Sequence, residues 1–121
     1  MESILIVDDD VNLCKVLAEE LAEVGFSTHY VTSADDALEY IQRESIDLML
    51  LDLKMPEKDG FEVLRELKLR SVHFKVIVLT AYADVVSAME AAHMGATDFI
   101  SKPYDFDELV ITIRKVLQKD A

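Results

Sequence analysis

Ile4-Leu5-Ile6-Val7-Asp8-Asp9-Asp10 sets four apolar residues, without polar alternation, directly before three carboxylates. Unbroken apolar runs of this length suit central strands of a parallel sheet, because helices cover both of its faces. Two further runs repeat the pattern: Leu48-Met49-Leu50-Leu51 leads into Asp52, and Val76-Ile77-Val78-Leu79 leads into Thr80. A shorter one, Phe99-Ile100-Ser101, delivers Lys102 just ahead of Pro103. Ser27-Thr28-His29-Tyr30-Val31 mixes in polar residues and suits an edge strand, and the short run at 98–101 suits the opposite edge.

Helical periodicity fills the gaps between these runs. Leu13, Leu17, Leu21 and Val24 predict a first helix opening near Asp10 and stopping at Gly25, a C′ glycine. Ser33 and Asp36 resemble a capping box, with the shorter acid, for a second helix carrying Ala37, Leu38 and Ile41. Gly60 precedes a third with Phe61, Leu64 and Leu67 on one face. Asp84 opens a fourth through Val85, Ala88, Met89 and Ala92, ending at Gly95. Asp105 and Glu108 start a fifth carrying Leu109, Ile113 and Val116, with Arg114, Lys115 and Lys119 toward its negative end. Five strand–helix repeats predict an α/β fold around one parallel sheet. Right-handed crossovers with the three apolar runs central give the strand order 2-1-3-4-5. In that order the winding reverses between strands 1 and 3, and ligand sites of open α/β sheets lie at that edge.

At 121 residues, 51% of them hydrophobic, the chain is expected to be one domain with a buried core. The net charge of −12 repels nucleic-acid phosphates and anionic membranes, and no basic patch offsets it. No apolar run is long enough to cross a bilayer, and the N-terminus has no signal-peptide pattern. The single Cys14 rules out an internal disulfide and agrees with a reducing cytoplasm. In its helical setting it reads as a small buried or half-buried thiol. Five methionines read as adaptable filler, with Met55, Met89 and Met94 nearest the candidate site or the fourth helix. His29, His73 and His93 show no metal-ligand spacing.

Asp8, Asp9 and Asp52 at adjacent strand ends would repel one another unless a cation intervenes. A hard divalent ion such as Mg²⁺, which takes one or two carboxylates plus waters and phosphate oxygens, meets that need. One carboxylate could then act as a nucleophile toward a phosphoryl group, with Lys102 offsetting charge and Thr80 donating a hydrogen bond. Taken singly, each residue has a plainer reading. Asp10 is explained by helix capping, Asp52 by an ordinary loop, Thr80 by a strand end and Lys102 by solvation. Their coincidence at one sheet edge favours the joint site.

The motifs Ile6-Val7-Asp8-Asp9-Asp10, Asp52-Leu53-Lys54-Met55-Pro56-Glu57-Lys58-Asp59-Gly60, Thr80-Ala81 and Lys102-Pro103, in this order and spacing, resemble receiver domains of two-component response regulators. The resemblance spans nearly the whole chain. It implies a flavodoxin-like, doubly wound (βα)5 fold and a single receiver domain over residues 1–121, with any output domain absent. It further implies that Asp52 is the phospho-acceptor, taking its phosphoryl group from a histidine kinase, a phosphotransfer protein or a small phosphodonor. Asp9 holds Mg²⁺ directly and Asp8 chiefly through water, with Asp52 and the backbone carbonyl of Lys54 as further ligands; Mn²⁺ is an admissible substitute. Thr80 and Lys102 take the hydroxyl and lysine roles. Phe99 falls at the aromatic switch position, where the ring turns inward as the Thr80 hydroxyl moves to the phosphoryl group. The Lys102–Pro103 bond is expected to be cis.

By the same resemblance Lys54 and Tyr82 occupy the positions that tune phosphoryl lifetime. The Tyr82 ring either shields the site from water or points to solvent. The segment from Thr80 to Ile100 is most similar to receivers of sigma-54-dependent activators or free-standing relatives. Ala88 and Thr112 stand where receivers of winged-helix regulators carry basic residues, which disfavours that particular dimer without excluding another homodimer on phosphorylation. The implied unit is cytoplasmic, catalyses only its own phosphorylation and dephosphorylation, and signals through the face made by helix 4, strand 5 and helix 5 to an output domain or target protein. It touches neither nucleic acid nor membrane itself.

Three rivals are weaker. A haloacid dehalogenase-type phosphatase would use Asp8-Asp9-Asp10, but Val11 and Asn12 break its motif, no late acidic pair follows the lysine, and Asp52 would be idle. A flavodoxin-like nucleotide module would need a glycine-rich loop where this chain has three carboxylates. A degenerate receiver acting only as a scaffold would not need the intact set Asp9, Asp52, Thr80 and Lys102.

Overall fold

The computed structural model describes residues 1–118. Five strands, β1 (Ser3–Val7), β2 (Ser27–Val31), β3 (Leu48–Leu51), β4 (Lys75–Thr80) and β5 (Asp98–Ser101), alternate with five helices. These are α1 (Val11–Glu23), α2 (Ala34–Arg43), α3 (Gly60–Arg70), α4 (Val85–His93) and α5 (Phe106–Gln118). The sheet is parallel throughout and ordered β2-β1-β3-β4-β5, as the runs predict. Lys119 lies outside the described residues.

Every helix opens on a side chain that accepts a main-chain N–H of its first turn. Asp10 accepts from Leu13, Ser33 from Asp36, Asp59 from Glu62, Asp84 from Ser87 and Asp105 from Glu108, at 2.7–3.1 Å. Each such cap contributes about 1 kcal/mol. Gly25 (φ +104°) and Gly95 (φ +102°) end α1 and α4 in the left-handed region that favours glycine.

The period-two alternation of the strands divides the core in two. Ile4, Ile6, Leu48, Leu50, Ile77 and Leu79 face α1 and α5 and pack on Cys14, Leu17, Leu21, Leu109 and Ile113. Leu5, Val7, Met49, Leu51, Val76 and Val78 face the other way, onto Ala34, Ala37, Val63, Leu64, Leu67 and Ala91 of α2, α3 and α4. Both faces are therefore covered, which is why the central strands read as unbroken apolar runs.

Two local expectations change. Gly60 does not precede the third helix but is its first residue, since Asp59 supplies the cap. A Cβ there would meet the Asp52 carbonyl oxygen and lie 2.7 Å from Leu53 Cα, so the helix can start this close to β3 only on glycine. In α4 the expected face is largely solvent-facing: Val85 is 74% and Met89 59% exposed, and Ala92 is exposed. Ala91 is the buried residue of α4, because a helix apolar on several sides leaves the choice of face to the sheet it lands on.

Candidate functional site

The carboxyl edge of β1, β3, β4 and β5 brings the predicted residues together through main-chain register. Asp8 N–H donates to Val31 O, Asp52 N–H to Val7 O and Lys102 N–H to Thr80 O, at 3.2, 2.9 and 2.9 Å. These bonds extend the ladder one step past the strands and set the four side chains in one crevice. Asp8, Asp52 and Thr80 are the buried polar residues of the described chain, while Asp9 is exposed at the rim. Carboxylate oxygens of Asp8, Asp9 and Asp52 lie within 4.8 Å of one another. Three hard oxygen donors that close, with one open to water, make a set that could hold a divalent cation.

Lys102 reaches the crevice across the sheet. Its Nζ lies 2.5 Å from Asp8 Oδ2 and 3.7 Å from Asp52 Oδ2. Burial alone would lower its pKa, but the hydrogen bond to Asp8 and the charges of Asp52, Asp8 and Asp10 outweigh that and hold it above its ordinary range. Burial pushes the Asp52 carboxyl up, with the Asp8 charge adding to it, while the Thr80 hydroxyl and Lys102 pull the other way. The Lys102–Pro103 bond is cis.

Asp8 is held by more than Lys102. Its Oδ1 accepts the Asp10 N–H at 2.9 Å, and its main-chain carbonyl accepts the Cys14 thiol at 3.4 Å. Cys14 is fully buried, and burial together with the Asp8 and Asp10 charges pushes its thiol up to about 12. The thiol was legible as buried, but its bond to the Asp8 carbonyl was not. Nor was the Lys102–Asp8 pair, whose members are 94 residues apart.

The remaining candidates flank the crevice. Tyr82 is 50% exposed; its main-chain N–H donates to Thr80 Oγ1 at 3.2 Å, and the Lys54 ammonium sits 5.3 Å from its ring centroid. Phe99 is half-buried on β5 opposite Val78 and packs among the α2–α4 residues of the core. Phe99 also lines a hollow of about 210 Å³ together with Ala88, Ala91, Ala92, Ala96, Thr97 and Asp98. Met55 is buried, Met94 half-buried, and His29, His73 and His93 are exposed and apart from the site. No helix among the described residues is long and apolar enough to cross a membrane.

The sequence model of the family described as response regulator receiver domain matches residues 4–114. Regulatory protein AtoC of Escherichia coli (strain K12) is 40% identical over 115 residues, covering 95% of this chain and 25% of AtoC. Sporulation initiation phosphotransferase F of Bacillus subtilis (strain 168) is 35% identical over 116 residues, covering 96% of this chain and 94% of that protein. The chain thus spans about a quarter of the longer relative. The crystal structure of response regulator protein TrrA from Thermotoga maritima, in complex with Mg²⁺-BeF, superposes with a TM-score of 0.86 at 34% identity, covering 96% of this chain and 99% of TrrA.

Proposed function

The chain belongs to the response regulator receiver domains of two-component systems, and on that premise we propose that Asp52 is the residue that takes and holds the phosphoryl group. A receiver domain is a phospho-acceptor switch, a signalling unit and not a turnover enzyme. The observation that carries the assignment is the placement of Asp52: buried at the carboxyl edge of the sheet, 3.7 Å from Lys102 and with carboxylate oxygens of Asp8 and Asp9 within 4.8 Å.

An Asp52 oxygen attacks the phosphorus of a phosphohistidine on a sensor kinase or phosphotransfer protein. The phosphorus–nitrogen bond breaks, its electron pair returns to the imidazole, and an aspartyl phosphate remains. Lys102 faces the incoming phosphoryl oxygens and offsets their charge, and the Thr80 hydroxyl donates to one of them. Asp9, Asp52 and the Lys54 carbonyl would hold Mg²⁺ (or Mn²⁺), which supplies further neutralisation of phosphoryl charge when bound. Asp8 contributes chiefly through water, in keeping with its two carboxylate oxygens already engaging Lys102 and the Asp10 N–H.

Movement of the Thr80 hydroxyl toward the phosphoryl group frees space that the Phe99 ring, half-buried on the neighbouring strand β5, follows. The face of α4, β5 and α5 then changes its affinity for an output domain or target, a population shift of a few kcal/mol between two states. Lys54 and Tyr82 set how long the phosphoryl group survives. Residues 1–121 act as a single receiver unit in the cytoplasm, and a homodimer on phosphorylation fits the same face. The test is intact mass after acetyl phosphate and Mg²⁺: one phosphoryl group on the unaltered chain, none on Asp52→Asn. Stoichiometric labelling of Asp52→Asn would sink the assignment.

A further inference from the structure

Tyr104 follows Lys102 by two residues, and its hydroxyl donates to Glu20 Oε1 of α1 at 3.0 Å, across 84 residues of sequence. Asp8, the resting partner of Lys102, is tied to the same helix. Its carbonyl accepts the Cys14 thiol, and Asp10, whose N–H reaches Asp8 Oδ1, caps α1. From this shared anchor, and resting on the Asp52 assignment above, we infer that the Tyr104–Glu20 hydrogen bond is a strut that positions Lys102 for phosphoryl transfer. Tyr104 and Glu20 are positioning residues, acting through the lysine.

Packing alone does not fix the Lys102 loop. A hollow of about 390 Å³ lies beside it, lined by Leu13 of α1, Ala81, Lys102, Pro103 and Tyr104. On that side the loop has room to shift, and both Pro103 and Asp105 are exposed. Upstream, the Lys102 N–H donates to Thr80 O at 2.9 Å; downstream, Asp105 caps α5 at 3.0 Å. Between those two anchors Tyr104 is half-buried against the α1–α5 side of the core, and the Glu20 it reaches is half-buried too. A hydrogen bond to a carboxylate is stronger than one between neutral groups, so it can hold the loop where packing leaves a gap.

In the resting chain Lys102 has a second restraint, its ion pair with Asp8. Transfer loosens that restraint, because the ammonium turns toward oxygens arriving at Asp52, whose own Oδ2 is 3.7 Å away at rest. The strut then holds the loop to α1 while charge builds on those oxygens. An ammonium misplaced at that moment loses transition-state stabilisation, which lowers the limiting rate and leaves donor binding alone.

The test is the rate of labelling by acetyl phosphate with Mg²⁺, read by intact mass over donor concentrations up to saturation. In that reaction an Asp52 oxygen bonds to phosphorus as the bond from phosphorus to the acetyl oxygen breaks, and the electron pair leaves on acetate. Tyr104→Phe is expected to lower the limiting rate about three- to tenfold, the worth of one such hydrogen bond, with the half-saturating donor concentration unchanged. Glu20→Ala should match it, and the Tyr104→Phe/Glu20→Ala double variant should be no slower than the slower single. Glu20→Gln, which keeps an acceptor oxygen, should label close to the unaltered rate. An unchanged limiting rate in Tyr104→Phe, a loss confined to the half-saturating concentration, multiplying single effects or a slow Glu20→Gln would overturn the strut and leave Asp52 in place. Failure of the unaltered chain to take a phosphoryl group would overturn both.

Discussion

Lys102 is held nearer to Asp8 than to Asp52, at 2.5 Å against 3.7 Å, so before any phosphoryl group arrives its main partner is the acid buried behind the acceptor. The pair is nearly dry, with the Asp8 side chain 4% and the Lys102 side chain 17% exposed. Removing the ammonium leaves two buried carboxylates facing each other. Lys102→Met is therefore expected to lose about 3 kcal/mol of stability, the scale of breaking a buried ion pair. Added Mg²⁺ should restore part of it, because a cation bound by the folded state alone stabilises it by mass action. Urea melts with and without Mg²⁺ check this; a melt equal to that of the unaltered chain without metal would refute it.

Gly60 sits where α3 begins against the main chain of Asp52 and Leu53, and its N–H donates to Leu53 O at 2.8 Å. Backbone cannot yield as a side-chain tip can. Gly60→Ala should cost about 1–3 kcal/mol, as overpacking does, and slow phosphorylation by shifting Asp52. Denaturant midpoint and labelling rate, measured on one preparation, read both effects.

Glu57 adopts φ +69° in the loop between Asp52 and α3, a left-handed conformation without a glycine to make it easy. Glu57→Gly relieves that strain but widens the unfolded ensemble, and the first effect is larger at positive φ. A gain of about 0.5–1 kcal/mol in a chemical melt is expected. A loss would mean that the Glu57 side chain makes a stabilising interaction of its own.

Tyr104 OH donates to Glu20 at 3.0 Å, tying the loop that carries Lys102 to α1. Burial, then this hydrogen bond and the Glu20 charge, pushes the phenol up to about 12 from its ordinary 10.0. The folded state keeps a proton that the unfolded chain has already lost above pH 10. The stabilisation is thus complete below the unfolded pKa and is lost as pH rises from about 10 to about 12. Cys14, also pushed up to about 12, loses stability at alkaline pH by the same sign. Tyr104→Phe should flatten part of the alkaline fall in stability, measured as denaturant midpoint against pH; an unchanged slope would assign the fall elsewhere.

Much of the architecture was legible in local pattern. The three unbroken apolar runs marked strands covered on both faces, the mixed run at 27–31 marked an edge, and Asp10, Ser33, Asp84 and Asp105 marked helix starts that the structure bears out. α4 was legible as a helix but not as to its face. Apolar side chains on several sides give no single stripe, and Val85 and Met89 turned outward while Ala91 turned in.

By itself the sequence determined the element order, the strand order and which side chains would collect at the carboxyl edge, because side-chain periodicity and crossover handedness are properties of the chain written residue by residue. Only the tertiary structure decided that Lys102 pairs first with Asp8, that Gly60 starts α3 against the Asp52 backbone, and that Lys54 lies over Tyr82. Those are distances between segments that periodicity never compares. Which of several carboxylates an ammonium chooses, or which ring it covers, is settled by differences of an ångström or two after the sheet has brought them together.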